Sequence, residues 1–298
     1  MSENMYIVRD ALDKGRGMFA TQDIKRGTCV ISESPLVFIS PNIFKNLQAI
    51  NALSKKNKKS FFALRNIYTD DELPQEIGII KTNALQLGND SIEAAVYRVI
   101  SRINHSCAPN VRHSWNSITQ MEYIYAIKDI TAGSEILTTY VAPLTTREAR
   151  QKKLEEDFRF TCQCRLCTAA SSKEHDAVVT RINECSDLIV KFASSNPRKS
   201  IQCVREALAL LDKIETHGKR TFYYDGFQIS AMYSNYKLAK EWADLLLESY
   251  RLEEGETGDQ YDRYLAYSID AKSHERAGRG GYVDLRGIYI TKLGQELE

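Results

Sequence analysis

Residues 102–110 read Arg-Ile-Asn-His-Ser-Cys-Ala-Pro-Asn, which sets an amide, an imidazole, a hydroxyl and a thiol side by side at positions 104 to 107. The run follows neither the helical nor the strand period, and Pro109 interrupts it, so it is predicted to be irregular backbone. A cysteine on such a loop fills no core face, which makes Cys107 a candidate metal ligand rather than a small buried hydrophobe. Its partners stand downstream, where Cys162-Gln163-Cys164-Arg165-Leu166-Cys167 has C-x-C-x2-C spacing. Three thiolates on one tight loop suit three corners of a tetrahedron at about 2.3 Å from a zinc ion. The fourth corner falls to Cys107, His105, His175, Cys185 or Cys203. Cys107 is preferred, because Cys185 and Cys203 lie on apolar helix faces and, like the mid-strand Cys29, read as core. Four thiolates leave no coordination position open, so the zinc is expected to be structural; an iron–sulfur cluster or a reactive thiol group is the alternative.

The composition bounds the rest. A length of 298 residues favours two domains, and 43% hydrophobic with 27% charged residues is ordinary for a globular chain. With 40 basic and 39 acidic residues the net charge is +1, so no global field steers nucleic acid, and direct nucleic-acid binding is not expected. The one marked basic run, Lys55-Lys56-Asn57-Lys58-Lys59, reads as a solvated loop or helix face. No apolar run reaches the ~18–20 residues of a membrane span, and the start MSENMYIVRD lacks a secretory pattern. A reducing compartment, cytoplasm or nucleus, is therefore expected. There, seven cysteines serve as thiols or ligands rather than as disulfides.

Around the opening stretch, short β-prone runs alternate with turns. Strands are predicted at Met5–Val8, Thr28–Ser32, Leu36–Ile39, Met121–Ile127 and Glu135–Tyr140, with a two-glycine turn at Lys14-Gly15-Arg16-Gly17. Residues 41–70 carry a helical pattern, and 91–101 read as helix or irregular core. Beyond Thr145–Asp157, a charged helix, the texture becomes helical throughout. Val178, Ile182, Cys185, Ile189 and Phe192 mark one helix, and Ile201, Val204, Leu208 and Leu211 the next. A tyrosine-rich third helix and a fourth around Trp242 suggest a tetratricopeptide-like array, with the boundary near 168–175.

Four motifs in order carry a family resemblance. Asn104-His105-Ser106-Cys107-x-Pro109-Asn110 resembles the N-H-S-C-x-P-N signature of SET-domain protein-lysine methyltransferases. Gly133–Tyr140 is similar to that family's G-E-E strand ending in tyrosine, and Phe160–Cys167 to its post-SET F-x-C-x-C-x2-C segment. Lys14-Gly15-Arg16-Gly17-Met18-Phe19-Ala20 resembles its first strand motif. The helical second half points to the SET-and-MYND branch. The MYND finger itself is missing, and residues 41–75, without cysteine or histidine, occupy its place, as in the fungal type of SET protein.

The resemblance implies an α+β fold: a SET β-clip of short sheets with pseudoknot-like threading over 1–157, a zinc-bound post-SET segment over 158–170, and an all-α domain over 171–298. It implies S-adenosylmethionine as cofactor, bound by Lys14, Arg16, Gly17, Asn83, Asn104, His105 and Phe160. It implies Tyr140 as the catalytic residue, Leu85 and Phe158 as walls of the lysine channel, and structural zinc on Cys107, Cys162, Cys164 and Cys167. Asn83-Ala84-Leu85 has leucine where the family has phenylalanine, Phe158 stands where it often has tyrosine, and Ser134 precedes Glu135 where the family often has a second acid, a change read as without effect. The implied partner is a protein or peptide presenting a lysine to a monomeric enzyme. Altered channel walls motivate the alternative, an inactive SET-fold scaffold whose tyrosine-rich helix is the working surface. Glu253-Glu254-Gly255-Glu256 is a candidate acidic groove for a basic peptide, or else an exposed turn.

Overall fold

A computed structural model describes residues 4–69, 72–88, 91–169, 172–214 and 217–286. Two compact units divide the chain, and they interleave in sequence. The first comprises 1–140, 151–164 and 252–259; the second comprises 141–150, 165–251 and 260–298.

Among the described residues the first unit has ten short strands: β1 (Tyr6–Asp10), β2 (Arg16–Ala20), β3 (Cys29–Glu33), β4 (Val37–Ile39), β5 (Leu85–Gln86), β6 (Ala94–Val96), β7 (Asn104–His105), β8 (Val111–Asn116), β9 (Met121–Ala126) and β10 (Glu135–Thr138). They form three small sheets ordered β1-β2-β10-β7, β3-β9-β8 and β4-β6-β5. Neighbours are antiparallel except at one place. There β10 runs parallel to β7, with Leu137 opposite Asn104 and Thr138 opposite His105. A parallel pair cannot be joined by a hairpin, so this pairing threads the 104–110 stretch against a strand some thirty residues later.

Residues 41–70, expected to be helical, hold α1 (Ile43–Ala52) and α2 (Lys55–Phe62), followed by α3 (Gln75–Asn83). Asn42 caps α1, accepting from the Phe44 and Lys45 amides, and Ser54 caps α2 through Asn57. Phe61, Ile50, Ile79 and Val96 bury the contact of this insert with β4 and β6. Residues 91–101 are not a helix: Ala94–Val96 extend as β6, and only Ile100–Arg102 coil into a 3₁₀ turn. The Ala-Ala-Val run carries no alternation, and pairing on both sides by β4 and β5 decides its state.

Of the Glu253–Glu256 run only Glu256 is exposed, in a turn, and the two glutamates ahead of it face inward rather than line an acidic groove. Glu253 is buried and pairs with the Arg112 guanidinium at 3.0 Å, and Glu254 reaches the same group at 3.2 Å. Ser114 Oγ donates to the Glu254 carbonyl at 3.0 Å. Gly255 has φ +74, and a Cβ there would lie 2.1 Å from the Tyr125 hydroxyl, so only glycine lets the segment cross β9.

The second unit is helical. Helices α4 (Arg147–Phe158) and α9 (Tyr236–Glu254) run across the division, while α5 (Arg165–Thr168), α6 (Ser172–Phe192), α7 (Pro197–Leu211), α8 (Lys219–Met232) and α10 (Tyr261–Ile269) lie within the second unit. Asn196 caps α7 with Pro197 in its first turn. His217-Gly218-Lys219 opens α8 rather than closing the preceding helix, which stops at Leu211. Cys185 and Cys203 are buried in this core beside Ile182, Val204 and Leu211. The tyrosine-rich helix faces inward too. Tyr224 and Phe227 pack with Tyr267 and His274, and Arg263 donates to the Tyr267 and Tyr224 hydroxyls at 2.8 and 3.0 Å. Among the described residues no helix is long and apolar enough to cross a membrane.

Burial on α8 raises the Asp225 carboxyl from 3.8 to about 6. A folded state that holds its proton more tightly than the unfolded chain gains stability below the unfolded pKa and loses it as pH rises through the folded one. Asp225→Asn is therefore expected to raise Tm by about 2–4 °C at pH 7.5 and to leave it nearly unchanged near pH 4. Thermal unfolding in the two buffers checks this, and an unfavourable shift at pH 7.5 would contradict it.

Candidate active site

The site grows from the segment ahead of the opening motif. The Glu33 carboxylate accepts the backbone N–H groups of Arg98 (3.0 Å), Val99 (3.1 Å) and Ile100 (2.9 Å), which satisfies the free donors of the 3₁₀ turn. The chain then enters β7. Past His105 it bends: Ser106 Oγ accepts from the Ala108 amide at 3.1 Å, and Asn110 closes the loop back onto β10. Asn110 donates its amide N–H to the Leu137 carbonyl (3.0 Å), accepts the Leu137 N–H on Oδ1 (2.8 Å), and donates from Nδ2 to the Glu135 carbonyl (2.9 Å). One side chain thus clamps the threaded strand.

The clamp places Tyr140 beside His105. The Tyr140 backbone N–H donates to His105 Nδ1 at 2.9 Å, and its hydroxyl donates to the Ile103 carbonyl at 2.8 Å. His105 is buried, and its Nε2 lies 3.3 Å from Cys107 Sγ, so both ring nitrogens are engaged within the protein. Phe158 packs on the Tyr140 ring with centroids 4.8 Å apart, and Phe160 lies 5.9 Å from the His105 ring. Burial, and then the charge of Glu135, push the Tyr140 hydroxyl above its ordinary pKa, with Arg65 opposing. It is a neutral donor at physiological pH.

A second cluster adjoins. Glu135 accepts from Asn104 Nδ2 (2.8 Å) and from Lys14 Nζ (2.8 Å). Asn104 Nδ2 also lies 3.3 Å from the Arg16 carbonyl. Gly17 sits against this group: a Cβ there would fall 2.6 Å from Glu135 Oε1 and 2.8 Å from Asn104 Nδ2. Arg16 is exposed, with its guanidinium on the Val8 carbonyl at 3.2 Å. Asn83 turns inward, donating to the Arg65 and Ile79 carbonyls at 2.7 and 2.8 Å, and Leu85 is half-buried against the β-sheet core. The amide donors of Asn83 are thus held by protein carbonyls.

The four expected thiols converge. Cys107, Cys162, Cys164 and Cys167 hold their sulfurs within 4.8 Å of one another, with Cys107 and Cys162 3.9 Å apart. A tetrahedron of Zn–S bonds of about 2.3 Å has edges of about 3.8 Å, so the donor set fits zinc. His105, His175, Cys185 and Cys203, the other candidates for the fourth corner, are not in this cluster. Gln151 anchors the loop, donating to the Cys162 carbonyl and accepting its N–H, both at 2.8 Å.

Residues 15–141 match the SET domain family. The chain carries a SET domain. It is 28% identical over 286 residues to the histone-lysine N-methyltransferase set5 of Schizosaccharomyces pombe, covering 92% of this chain and 86% of that one. It is 27% identical over 230 residues to the SET domain-containing protein L678 of Acanthamoeba polyphaga mimivirus, covering 63% and 87%. The N-lysine methyltransferase SMYD2-B of Danio rerio is 35% identical over 117 residues, and this chain covers 26% of it. The SET domain and these relatives support methyl transfer to lysine. Sequence reasoning missed Asn110 and Glu33 and gave Glu135 no role. An asparagine closing a Pro-Asn turn was the only signal for the first.

Purified protein is expected to carry about one zinc per chain. Cys107→Ser should lose most of it and lower Tm, while Cys29→Ser and Cys203→Ser retain it, as elemental analysis would show. Full zinc in Cys107→Ser would refute the four-thiolate site.

Proposed function

We propose that the protein is an S-adenosylmethionine-dependent methyltransferase acting on a lysine side chain of a protein. The observation that carries the reading is the double anchoring of Tyr140, through its amide on His105 and its hydroxyl on Ile103. With its proton committed to the Ile103 carbonyl, the hydroxyl oxygen keeps its lone pairs for an amine or a polarised methyl group.

The residues at hand suit the cofactor. Gly17 is a cradle that any side chain would fill, Glu135 and Asn104 offer an acceptor pair for an ammonium, and Lys14 and Arg16 supply cations for a carboxylate. Phe160 offers a ring face for adenine. When bound, S-adenosylmethionine supplies a methyl group activated by its sulfonium. The protein's task is then position and dryness. A free lysine has a pKa near 10.4, so its amine must arrive neutral; Tyr140, held protonated, orients that amine instead of removing its proton. The rings of Tyr140, Phe158 and His105 line one apolar wall, and such a wall disfavours an ammonium. Cys107, Cys162, Cys164 and Cys167 would hold the zinc, which would tie the segment carrying Phe158 and Phe160 to the motif loop.

Relatives named as histone-lysine methyltransferases make histones the first substrates to test, and such substrates are met in the nucleus or cytoplasm. Tyr140→Phe is expected to cut transfer of labelled methyl groups to histones or lysine peptides by about 10²-fold or more while cofactor affinity, by calorimetry, stays within about 3-fold. Retained transfer in that variant would overturn the role of Tyr140. A wild-type protein that binds cofactor yet methylates nothing would overturn the enzymatic reading.

A further inference from the structure

The near-zero net charge conceals a local imbalance. From Ser34 to Thr69 the chain has six basic residues, Lys45, Lys55, Lys56, Lys58, Lys59 and Arg65, and no acidic one. The remainder, with 34 basic against 39 acidic residues, is net −5. Four of the six lie on the eight-residue α2. At about 100° per residue, Lys58, Lys55, Lys59 and Lys56 follow one another round about 160° of its circumference. Phe61 is buried on the other side, and Lys55, Lys56 and Lys59 are exposed. The solvated-face reading of this run is therefore correct as to place but leaves its charge unexplained.

The helix gains nothing locally from that arrangement. Lys55 and Lys59 are like charges at i,i+4, and Lys55 with Lys58 and Lys56 with Lys59 at i,i+3, each an unfavourable pair. Lys55 and Lys56 occupy the first turn, where the helix dipole disfavours cations and no acidic residue offsets them. Among the described residues none of the four forms an ion pair. The helix is nonetheless rigidly tied to the edge of the site. Arg98 Nη2 donates to Asn57 Oδ1 at 2.9 Å, Arg102 Nη2 to the Ala63 carbonyl at 3.2 Å, and Arg65 Nη1 to the Lys14 carbonyl at 3.1 Å. The basic face thus continues from α2 through Arg65 to the Lys14–Arg16 turn.

We infer that α2 is a docking surface for the phosphate backbone of duplex DNA. The four lysines span residues 55–59, about 6 Å of helix axis, and over that length duplex DNA carries three or four phosphate charges, both strands counted, at one per about 1.7 Å. Four lysines match that number. Ammonium groups without a guanidinium fork neutralise and position rather than read bases, so the contact is independent of sequence. Phosphates at that density answer four clustered ammonium groups better than the scattered carboxylates of an acidic protein do. On α2 itself Phe62, between Lys58 and Lys55, is the one large apolar side chain exposed, which gives little for a lipid surface to bury there. The inference does not depend on the methyl-transfer reading.

The test is fluorescence anisotropy of a labelled 25-base-pair duplex, titrated with the zinc-loaded protein at 50 and 150 mM salt. The comparison is K55Q/K56Q/K58Q/K59Q, with K152Q/K153Q, on the exposed face of α4, as the control for loss of charge elsewhere. The α2 variant should bind at least about 10-fold more weakly at 50 mM salt, and its slope of log K against log salt should be shallower by about 3 to 4. The control should bind like the wild type. Circular dichroism and zinc content verify that the variants are folded. Equal binding by wild type and α2 variant, or none by the wild type, overturns the proposal. So does α2-dependent binding of polyglutamate or anionic vesicles without binding of the duplex. Methylation of a free peptide should be the same in wild type and α2 variant, which keeps the two readings separable.

Discussion

Asn110 grips β10 on both sides of Leu137, and the candidate site is assembled around that grip. Its three hydrogen bonds, each worth about 0.5–1.5 kcal/mol net, hold a loop across a strand that the chain reaches only some twenty-five residues later. The same crossing sets Asn104 opposite Leu137 and His105 opposite Thr138. From that register the rest follows. Asn104 meets Glu135 at the start of β10, His105 receives the Tyr140 amide at its end, and Cys107 turns toward the post-SET cysteines. A slip of one residue would exchange the faces of every side chain on the strand and would separate all three.

His105 is the junction of two functions that the motif places side by side. One ring nitrogen holds Tyr140 and the other lies against a cysteine sulfur, so the position of the tyrosine is coupled to the thiol cluster through one rigid ring. Amide, imidazole and thiol occupy neighbouring positions because each serves a different partner: Glu135, Tyr140 and the cysteine loop. The aromatic wall of Phe158 and Phe160 completes the arrangement from the far side of that loop.

Much of this was legible in the sequence, for a physical reason. Thiols at C-x-C-x2-C spacing announce their chemistry by residue type, whereas Tyr140, an ordinary strand-end aromatic by type, is marked only through the resemblance of the motifs around it. The helical core was legible too, because Ile182, Cys185 and Ile189 keep the period of the face they bury. What could not be read were roles conferred by distant backbone. Glu33 looks like any strand-end acid until the amides of Arg98, Val99 and Ile100 arrive. Glu253 looks solvent-exposed until Arg112, 141 residues earlier, supplies its counter-charge. Residues 94–96 lack any periodicity, so only their two neighbouring strands make them β. The α2 lysines were visible as a run, but a whole-chain charge balance averaged them away.

The most direct measurement of the threading is amide hydrogen exchange of the zinc-loaded protein, followed peptide by peptide in wild type and Asn110→Ala. If the clamp is the common support, peptides covering 104–110 and 135–140 lose protection together in the variant, while the α6–α7 core keeps its own. Opening of the loop alone, with 135–140 as protected as in the wild type, would show that β10 and Tyr140 are held by something other than Asn110.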